Sequence, residues 1–155
     1  CRTRVFENRH GEKTSVGRGN LSFTTVNLVR LALEADGDVD KFYDLLNHYC
    51  DVAIRQLKDR YLYQGLATKR KFPLLMSGMW LDSEKLTDSD LVADVLKHGT
   101  LSLGFLGLAE CLIALTGHHH GENVGSQELG LAIITQMGER CKYWADKWNM
   151  NISVI

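Results

Sequence analysis

The sequence contains four cysteines, whose thiols could bind metal, form disulfides or carry out redox chemistry: Cys1, Cys50, Cys111 and Cys141. They lie far apart and none belongs to a Cys-x-x-Cys pair, which disfavours a zinc ribbon, a thioredoxin-like motif or a dense disulfide framework. The pattern therefore predicts reduced thiols and a cytoplasmic location. The last three fall in helical patterns, where cysteine is most often a small buried hydrophobe. Cys1 differs, because basic residues and a polar, glycine-containing stretch surround it.

Three consecutive histidines, His118 to His120, are candidate metal ligands, since neutral imidazoles bind zinc, nickel and copper. Adjacent residues seldom face one ion, and no acidic or cysteine partner stands at a metal-binding spacing. We therefore predict a connecting loop and no metal site. Glu110, beside Cys111, is a candidate general base, although such a glutamate is more often a structural partner for a backbone amide or a basic side chain.

Glycine pairs suggest phosphate-binding turns at two places, Gly17-x-Gly19 and Gly104-x-x-Gly107. Neither has the full dinucleotide-binding fingerprint, and the sequence has no Gly-Lys-Ser/Thr for a P-loop. Tight turns or close backbone packing are the better explanation for these glycines.

Length and composition limit the class of protein. The chain has 155 residues, 45% of them hydrophobic, with 18 Lys and Arg against 19 Asp and Glu, which is typical of one globular domain and not of a nucleic-acid-coating chain. Glycines interrupt the longest apolar stretch, Leu101 to Leu115, so we predict no membrane span and no membrane partner. Both ends fall within apparent structure, and we expect an internal segment of a larger protein.

Hydrophobic periodicity predicts strands that alternate with helices. We expect Ser126 to cap the last helix, and Lys97 and His98 to face the negative end of a short one. Because parallel strands need helical crossovers, the alternation indicates an α/β chain with a parallel component. The predicted elements are a loop or hairpin over 1–19, strands over 21–26, 100–105 and 151–155, helices over 27–35, 39–64, 89–98, 107–116 and 126–148, and a strand or extended crossing over 73–80.

Two segments resemble anaerobic (class III) ribonucleoside-triphosphate reductases. They are Cys1-Arg2-Thr3-Arg4-Val5 and Gly17-Arg18-Gly19-Asn20-Leu21-Ser22-Phe23-Thr24-Thr25-Val26-Asn27-Leu28. Similarity to the same family continues through residues 104–117, His119-His120-Gly121-Glu122 and Lys147-Trp148-Asn149-Met150-Asn151, so it runs essentially end to end. One departure is Val29, where the family usually has proline before the arginine, and it affects only a helix start.

The resemblance implies a glycyl-radical enzyme built on a ten-stranded α/β barrel. Residues 1–155 would form one segment of its catalytic domain, with a finger loop over 1–19. Cys1 matches the finger-loop cysteine that receives the radical and, as a thiyl, abstracts the ribose 3′-hydrogen. A thiol suits this role because its S–H bond is weak enough for reversible hydrogen-atom exchange. Asn20 matches a substrate-contacting asparagine, although turn geometry alone also favours asparagine there.

The same resemblance implies partners and cofactors beyond the chain. The substrate would be a ribonucleoside triphosphate, a radical-SAM activase would generate the glycyl radical, and the enzyme would be a homodimer that needs no nucleic acid. The family's structural zinc, ATP-binding regulatory domain and glycyl-radical motif have no counterpart among the 155 residues, so we expect no cofactor in this segment and no activity from it alone.

Two alternatives stay open from the sequence. Another glycyl-radical enzyme, such as a formate-lyase relative, shares the barrel and the loop cysteine. A non-catalytic helical interaction module would also explain two long amphipathic helices and three tryptophans.

Overall fold

The computed structural model describes residues 8–155, so Cys1 and the rest of the first motif lie outside the described residues. The described chain folds as a mixed α/β layer structure, with a three-stranded sheet whose strands lie in chain order. The strands are β1 (Asn20–Asn27), β2 (Thr100–Leu106) and β3 (Asn151–Val154), and both pairings are parallel. The predicted strands over 21–26, 100–105 and 151–155 and their parallel arrangement are therefore confirmed, each to within a residue or two.

Helices make the crossovers between these strands. The two long helices, over residues 39–65 and 124–148, correspond to the two long amphipathic helices that the sequence predicts. The helices are α1 (Leu28–Ala35), α2 (Val39–Gly65), α3 (Ala93–Leu96), α4 (Leu108–Thr116) and α5 (Val124–Trp148), with single 3₁₀ turns at Lys69–Lys71 and Ser83–Lys85. No helix within residues 8–155 is long and apolar enough to cross a membrane.

Side-chain caps fix where the helices begin. Asn27 accepts a hydrogen bond from the Arg30 backbone, so α1 begins without the proline that the family usually has near Val29. Asp38 caps α2 in the same way. The prediction that Ser126 caps the last helix is wrong: Asn123 is the cap, and its side chain accepts from the Ser126 backbone N–H.

The main core lies between the helices and one face of the sheet. Val26 of β1 and Leu103 of β2 belong to this core, with Phe105 and Ile152 packed against it. Because paired residues in parallel strands point to the same side, these side chains mark a single apolar face. Helices α1, α2, α4 and α5 supply the rest of the core.

A second, smaller core lies beneath the amino ends of the strands. It contains Met76, Trp80, Val92, Val95 and Leu96. The segment over 73–80 that contributes the first two is a series of turns, so the suggested strand or extended crossing is wrong.

Local hydrogen bonds explain those turns. The Met76 N–H donates to the Phe72 carbonyl, and the Trp80 N–H donates to the Leu75 carbonyl. Met76 and Trp80 are buried four residues apart, which is a helical spacing and not the period of two of a strand. Gly78 between them has φ +98°, a conformation that favours glycine.

Candidate functional site

The sheet face opposite the main core is polar where β1 and β2 begin. Asn20 pairs with Thr100 in register, and Thr100 pairs with Asn151 of β3. One step further along, Ser102 pairs with Ser153. Two amides and three hydroxyls therefore lie side by side across three strands, and Thr100, Ser102 and Asn151 among them are buried.

Asn20 is held in one orientation on this face. A register shift between Asn20 and Ser22 places the amide at an irregularity of the strand. Its Nδ2 donates to the Ser102 hydroxyl at 2.6 Å, and Ser102 is fully buried. Because the amide nitrogen is engaged, the amide oxygen remains for a donor from elsewhere.

Several polar atoms on and near this face have no hydrogen-bond partner. They include the side-chain oxygens of Asn20, Thr100, Ser153 and Gln64, each of which is buried. Buried polar atoms without partners are uncommon in folded proteins and are frequently found at functional sites. The arrangement thus has unused hydrogen-bonding capacity beside the residue that the sequence analysis singled out.

A cleft of about 480 Å³ opens beside Asn20. Its lining includes residues 17–21 together with Phe72, Met76, Met79 and Trp80. A mostly apolar and aromatic lining with a few polar groups is typical of small-molecule sites.

The three described cysteines are structural. Cys50, Cys111 and Cys141 are buried in the main core. Burial raises the pKa of each thiol to about 12, and therefore each is a neutral thiol at ordinary pH. This confirms their interpretation as small buried hydrophobes.

The histidine run forms the predicted connecting loop between α4 and α5. His118 Nδ1 lies 3.3 Å from the Glu122 carboxylate, and the His119 backbone N–H donates to that carboxylate at 2.9 Å. The His119 backbone contact, with the nearby imidazoles, lowers the pKa of Glu122. Within residues 8–155 no three His, Cys, Asp or Glu side chains are grouped to hold a metal ion.

Glu110 is exposed in the first turn of α4. Its charge is favourable beside the positive end of a helix, and the residue lies on a different part of the fold from Asn20. The structure therefore does not bring Glu110 together with the candidate site.

His98 has a role that the sequence analysis missed. It is 2% exposed and lies in a buried hydrogen-bond network, whereas the sequence suggested a charge at a helix end. Asn8 Nδ2 lies 3.3 Å from His98 Nδ1, and His98 Nε2 lies 3.0 Å from the Asp82 carboxylate. Asn151 joins the same network through the Lys97 carbonyl.

The polar residues of β2 and β3 were also missed. Ser102 stands between Leu101 and Leu103, an alternation that places it on the face opposite the core. That alternation was the available signal, but it identifies a polar face without showing which strands are neighbours.

Comparisons with known proteins identify the family of this chain. The family model of the anaerobic ribonucleoside-triphosphate reductases matches residues 1–155. The chain belongs to this family. The match favours neither the formate-lyase alternative nor the helical interaction module.

Curated relatives extend well beyond this segment. The anaerobic ribonucleoside-triphosphate reductase of Escherichia coli is 32% identical over 154 residues, which cover 97% of this chain and 21% of the relative. The enzyme of enterobacteria phage T4 is 25% identical over 156 residues, 97% of this chain and 24% of the relative. The chain thus spans about a fifth to a quarter of their length.

Solved structures share the fold. The anaerobic ribonucleotide reductase of Thermotoga maritima with glycerol in the active site superposes with a TM-score of 0.60 at 18% identity, over 99% of this chain and 23% of that one. The same enzyme in complex with dATP and CTP gives a TM-score of 0.54 at 20% identity, over 85% of this chain and 21% of that one.

Proposed function

We propose that this chain is a segment of the catalytic domain of an enzyme that reduces ribonucleoside triphosphates to deoxyribonucleoside triphosphates. The observation that carries the proposal is the family match over residues 1–155, together with the place of Asn20 on the polar face of the sheet. The relatives are named for this reaction, and a fold neighbour was solved in complex with dATP and CTP.

Asn20 is proposed as a substrate ligand. The contact of its Nδ2 with Ser102 leaves the amide oxygen to accept from a ribose hydroxyl. The hydroxyls of Thr100 and Ser153, which are buried and have no partner, lie on the two neighbouring strands.

Cys1 is proposed as the radical carrier. A glycyl radical elsewhere in the whole enzyme would supply the unpaired electron. The Cys1 thiol would give its hydrogen atom to that glycyl radical and become a thiyl radical, which then takes the 3′-hydrogen of the substrate. One C–H bond breaks as the S–H bond re-forms, and the unpaired electron passes to the substrate. Two electrons from an external reductant and two protons complete the loss of the 2′-hydroxyl as water, and the Cys1 S–H then returns its hydrogen atom to the 3′ carbon, which regenerates the thiyl radical.

We also propose that this segment belongs to a ten-stranded α/β barrel, and the geometry of the sheet supports this. All three strands are parallel, the helices supply the core on one face, and β1 and β3 each have an unpaired edge within residues 8–155. Further strands can pair at both edges, and closure would turn the polar face inward. Residues 1–19 would then form the finger loop inside the barrel.

Partners and cofactors of the whole enzyme belong to the same proposal. We expect a radical-SAM activase, a homodimer, nucleotide effectors of the ATP and dNTP class, a structural zinc outside this segment, and a cytoplasmic location. A solved relative with dATP in its specificity site supports the effector class.

The test is Cys1→Ser in the whole reductase that contains this segment. Serine preserves the side chain's shape, but its O–H bond is too strong for hydrogen-atom exchange, so deoxynucleotide production should be abolished. The glycyl-radical signal in electron paramagnetic resonance should persist, because the activase acts on the glycine. Deoxynucleotide production by the variant under strictly anaerobic conditions would remove Cys1 from the mechanism.

A further inference from the structure

The polar face of the sheet carries an exposed aromatic ring beside Ser102. Phe23 of β1 is the Cα partner of Ser102, and its side chain is 65% exposed. Ser102, in contrast, is fully buried. Within residues 8–155, the boundary between the covered and the open part of this face therefore runs between these two side chains.

An irregularity in β1 turns Phe23 to the same face as Asn20. In a regular strand, residues three apart point to opposite faces. The register shift between Asn20 and Ser22 adds one residue to β1 at this point, so that Asn20 is the partner of Thr100. Phe23 is the partner of Ser102, two positions further along β2, and therefore points to the same side as Asn20. Such irregularities are frequent next to active sites, where they redirect a side chain.

Side-chain contacts of the next two residues agree with this orientation. The Thr24 hydroxyl donates to Gln56 of α2 at 3.0 Å, so Thr24 faces the helices. Thr25 faces away from them, because a Cβ added at Gly104, on the polar face, would lie 3.0 Å from Thr25 Oγ1. Phe23 alternates with Thr24 and therefore lies on the polar face with Thr25.

Arg60 fixes the backbone that carries the Phe23 ring. This residue of α2 donates from Nη1 to the Ser22 hydroxyl at 3.1 Å and to the Phe23 carbonyl at 3.0 Å. The strand is thus held by α2 as well as by β2. A ring on a fixed backbone loses little conformational freedom when a ligand binds it, which favours a stacking contact.

We propose that Phe23 is a substrate-binding residue whose ring stacks on the nucleobase of the ribonucleoside triphosphate while Asn20 contacts the ribose. This inference rests on the proposed function, because it takes Asn20 as a ribose ligand. Neighbouring strands lie about 4.8 Å apart, so Phe23 is one strand spacing from Ser102, to which the Asn20 amide donates. Because a nucleobase is bonded directly to its ribose, a substrate held at Asn20 brings its base within reach of this ring.

The chemistry of an exposed phenyl ring suits a nucleobase. Every base has a flat π face, and stacking on an aromatic side chain is favourable for all of them. The contact therefore adds affinity without selecting a single base, and the larger purines gain more from it than the pyrimidines. Phe23 would touch no reacting atom, so we expect it to contribute to binding and not to the chemical step.

Two substitutions separate stacking from simple apolar contact. Phe23→Tyr keeps the aromatic ring, and the added hydroxyl can remain in water because the side chain is mostly exposed. Phe23→Leu keeps an apolar side chain but has no flat π face. Tyr63→Leu is the matched control, because Tyr63 is a 79% exposed aromatic residue on α2, a helix that packs on the opposite face of the sheet.

The experiment is steady-state kinetics of the three variants in the whole, activated reductase with ATP, GTP, CTP and UTP, with the same effector for native and variant enzyme. We expect Phe23→Leu to raise KM about 5- to 20-fold with kcat changed less than about twofold. The rise should be at least about twofold larger for ATP and GTP, because purines have the larger stacking face. Phe23→Tyr should keep KM within about threefold of the native value, and Tyr63→Leu should leave KM and kcat unchanged.

An unchanged KM in Phe23→Leu would overturn the proposal, and so would a rise of the same size with all four substrates. Equal effects of Phe23→Leu and Phe23→Tyr, or a fall in kcat larger than the rise in KM, would mean that another part of the reductase covers the ring, and would also overturn it. Asn20→Ala separates the two ideas: an unchanged kcat/KM in that variant refutes the proposed ribose contact, whereas a loss there with unaffected Phe23 variants refutes only this inference.

Discussion

Arg140 on α5 binds Asp51 on α2 through both carboxylate oxygens, with Nη2 at 2.7 Å from one and 2.6 Å from the other. Arg140 Nε and the indole N–H of Trp144 also donate to that carboxylate. The contact joins the two long helices, which are 89 residues apart at this point.

Asp51→Asn should therefore destabilise the fold. The substitution keeps the shape of the side chain but leaves a half-buried guanidinium without its charged partner, which costs about 1–3 kcal/mol. Denaturant unfolding of the 155-residue chain measures the change. Glu34→Gln is the matched control, because the Arg30–Glu34 pair is exposed on one helix and contributes about 0.5 kcal/mol or less. Equal losses in the two variants would contradict the expectation.

The buried thiols predict an alkaline limit to stability. Burial raises the pKa of Cys141 from 9.0 to about 12, so the folded state disfavours the thiolate that the unfolded chain can form. The resulting stability is complete below the unfolded pKa near 9 and is lost as pH rises towards about 12. The unfolding free energy should therefore fall in this window, and less steeply in Cys141→Ala.

The same alanine substitution should cost about 1–3 kcal/mol at neutral pH, because it removes a buried sulfur from the core. Alkylation followed by mass spectrometry gives an independent measurement: Cys50, Cys111 and Cys141 should be protected in the native state and modified after denaturation. Rapid modification of any of the three in the folded chain at pH 8 would contradict the assignment.

Gly107 precedes α4 with φ +75°, and a Cβ there would overlap with Val29 Cγ2. Gly107→Ala should thus lose stability twice, through the left-handed backbone at about 1–2 kcal/mol and through the steric conflict with a stiff, branched side chain. Thermal unfolding of the double variant Gly107→Ala with Val29→Ala isolates the second effect. The double variant should be more stable than the two single losses added together, and simple additivity would refute the conflict.

The helices and strands could be predicted wherever a single hydrophobic period, helical or strand-like, dominated a segment. The long stripe of α2 is an example, since Phe42, Leu46, Cys50 and Leu57 recur at helical spacing and are all buried. Asn20 could be singled out because it follows a glycine turn within a recognisable motif. Ser126 was misassigned as a cap because Asn123, three residues earlier, offers the same side-chain chemistry.

The remainder depended either on turn hydrogen bonds that no hydrophobic period indicates or on distant parts of the chain. The segment over 73–80 has apolar residues at both strand and helix spacing, and local turn bonds decide between them. Because His98 follows a short helix, the sequence predicted a charged group at the end of that helix. In the structure His98 instead contacts Asn8 and Asp82 within a buried hydrogen-bond network. No local pattern indicates partners that lie 90 and 16 residues away.

Nucleotide binding by the 155-residue chain alone should be weak. The polar face presents Asn20 and its neighbours, but the proposed site needs the rest of the barrel to hold the triphosphate. Isothermal titration calorimetry with a ribonucleoside triphosphate should give a dissociation constant above about 10 µM, which is a binding free energy weaker than about −7 kcal/mol. Tighter binding would show that the segment already contains a complete site.

The final prediction concerns the contact between Asn20 and Ser102 and its effect on substrate binding in the whole reductase. Asn20→Ala removes the proposed ligand and should lower kcat/KM about 10- to 100-fold, equivalent to about 1.4–2.8 kcal/mol. Ser102→Ala leaves the amide in place but frees it to rotate, because the 2.6 Å contact is lost, so the decrease should be smaller, about three- to tenfold. The kcat/KM of the double variant should be no lower than that of Asn20→Ala, since Ser102 acts through that amide.

Steady-state kinetics under anaerobic conditions measure all three variants. The control is Thr24→Ala, which removes a surface contact with Gln56 and should leave kcat/KM unchanged. A double variant with fully additive losses would mean that Ser102 contributes to turnover independently of Asn20.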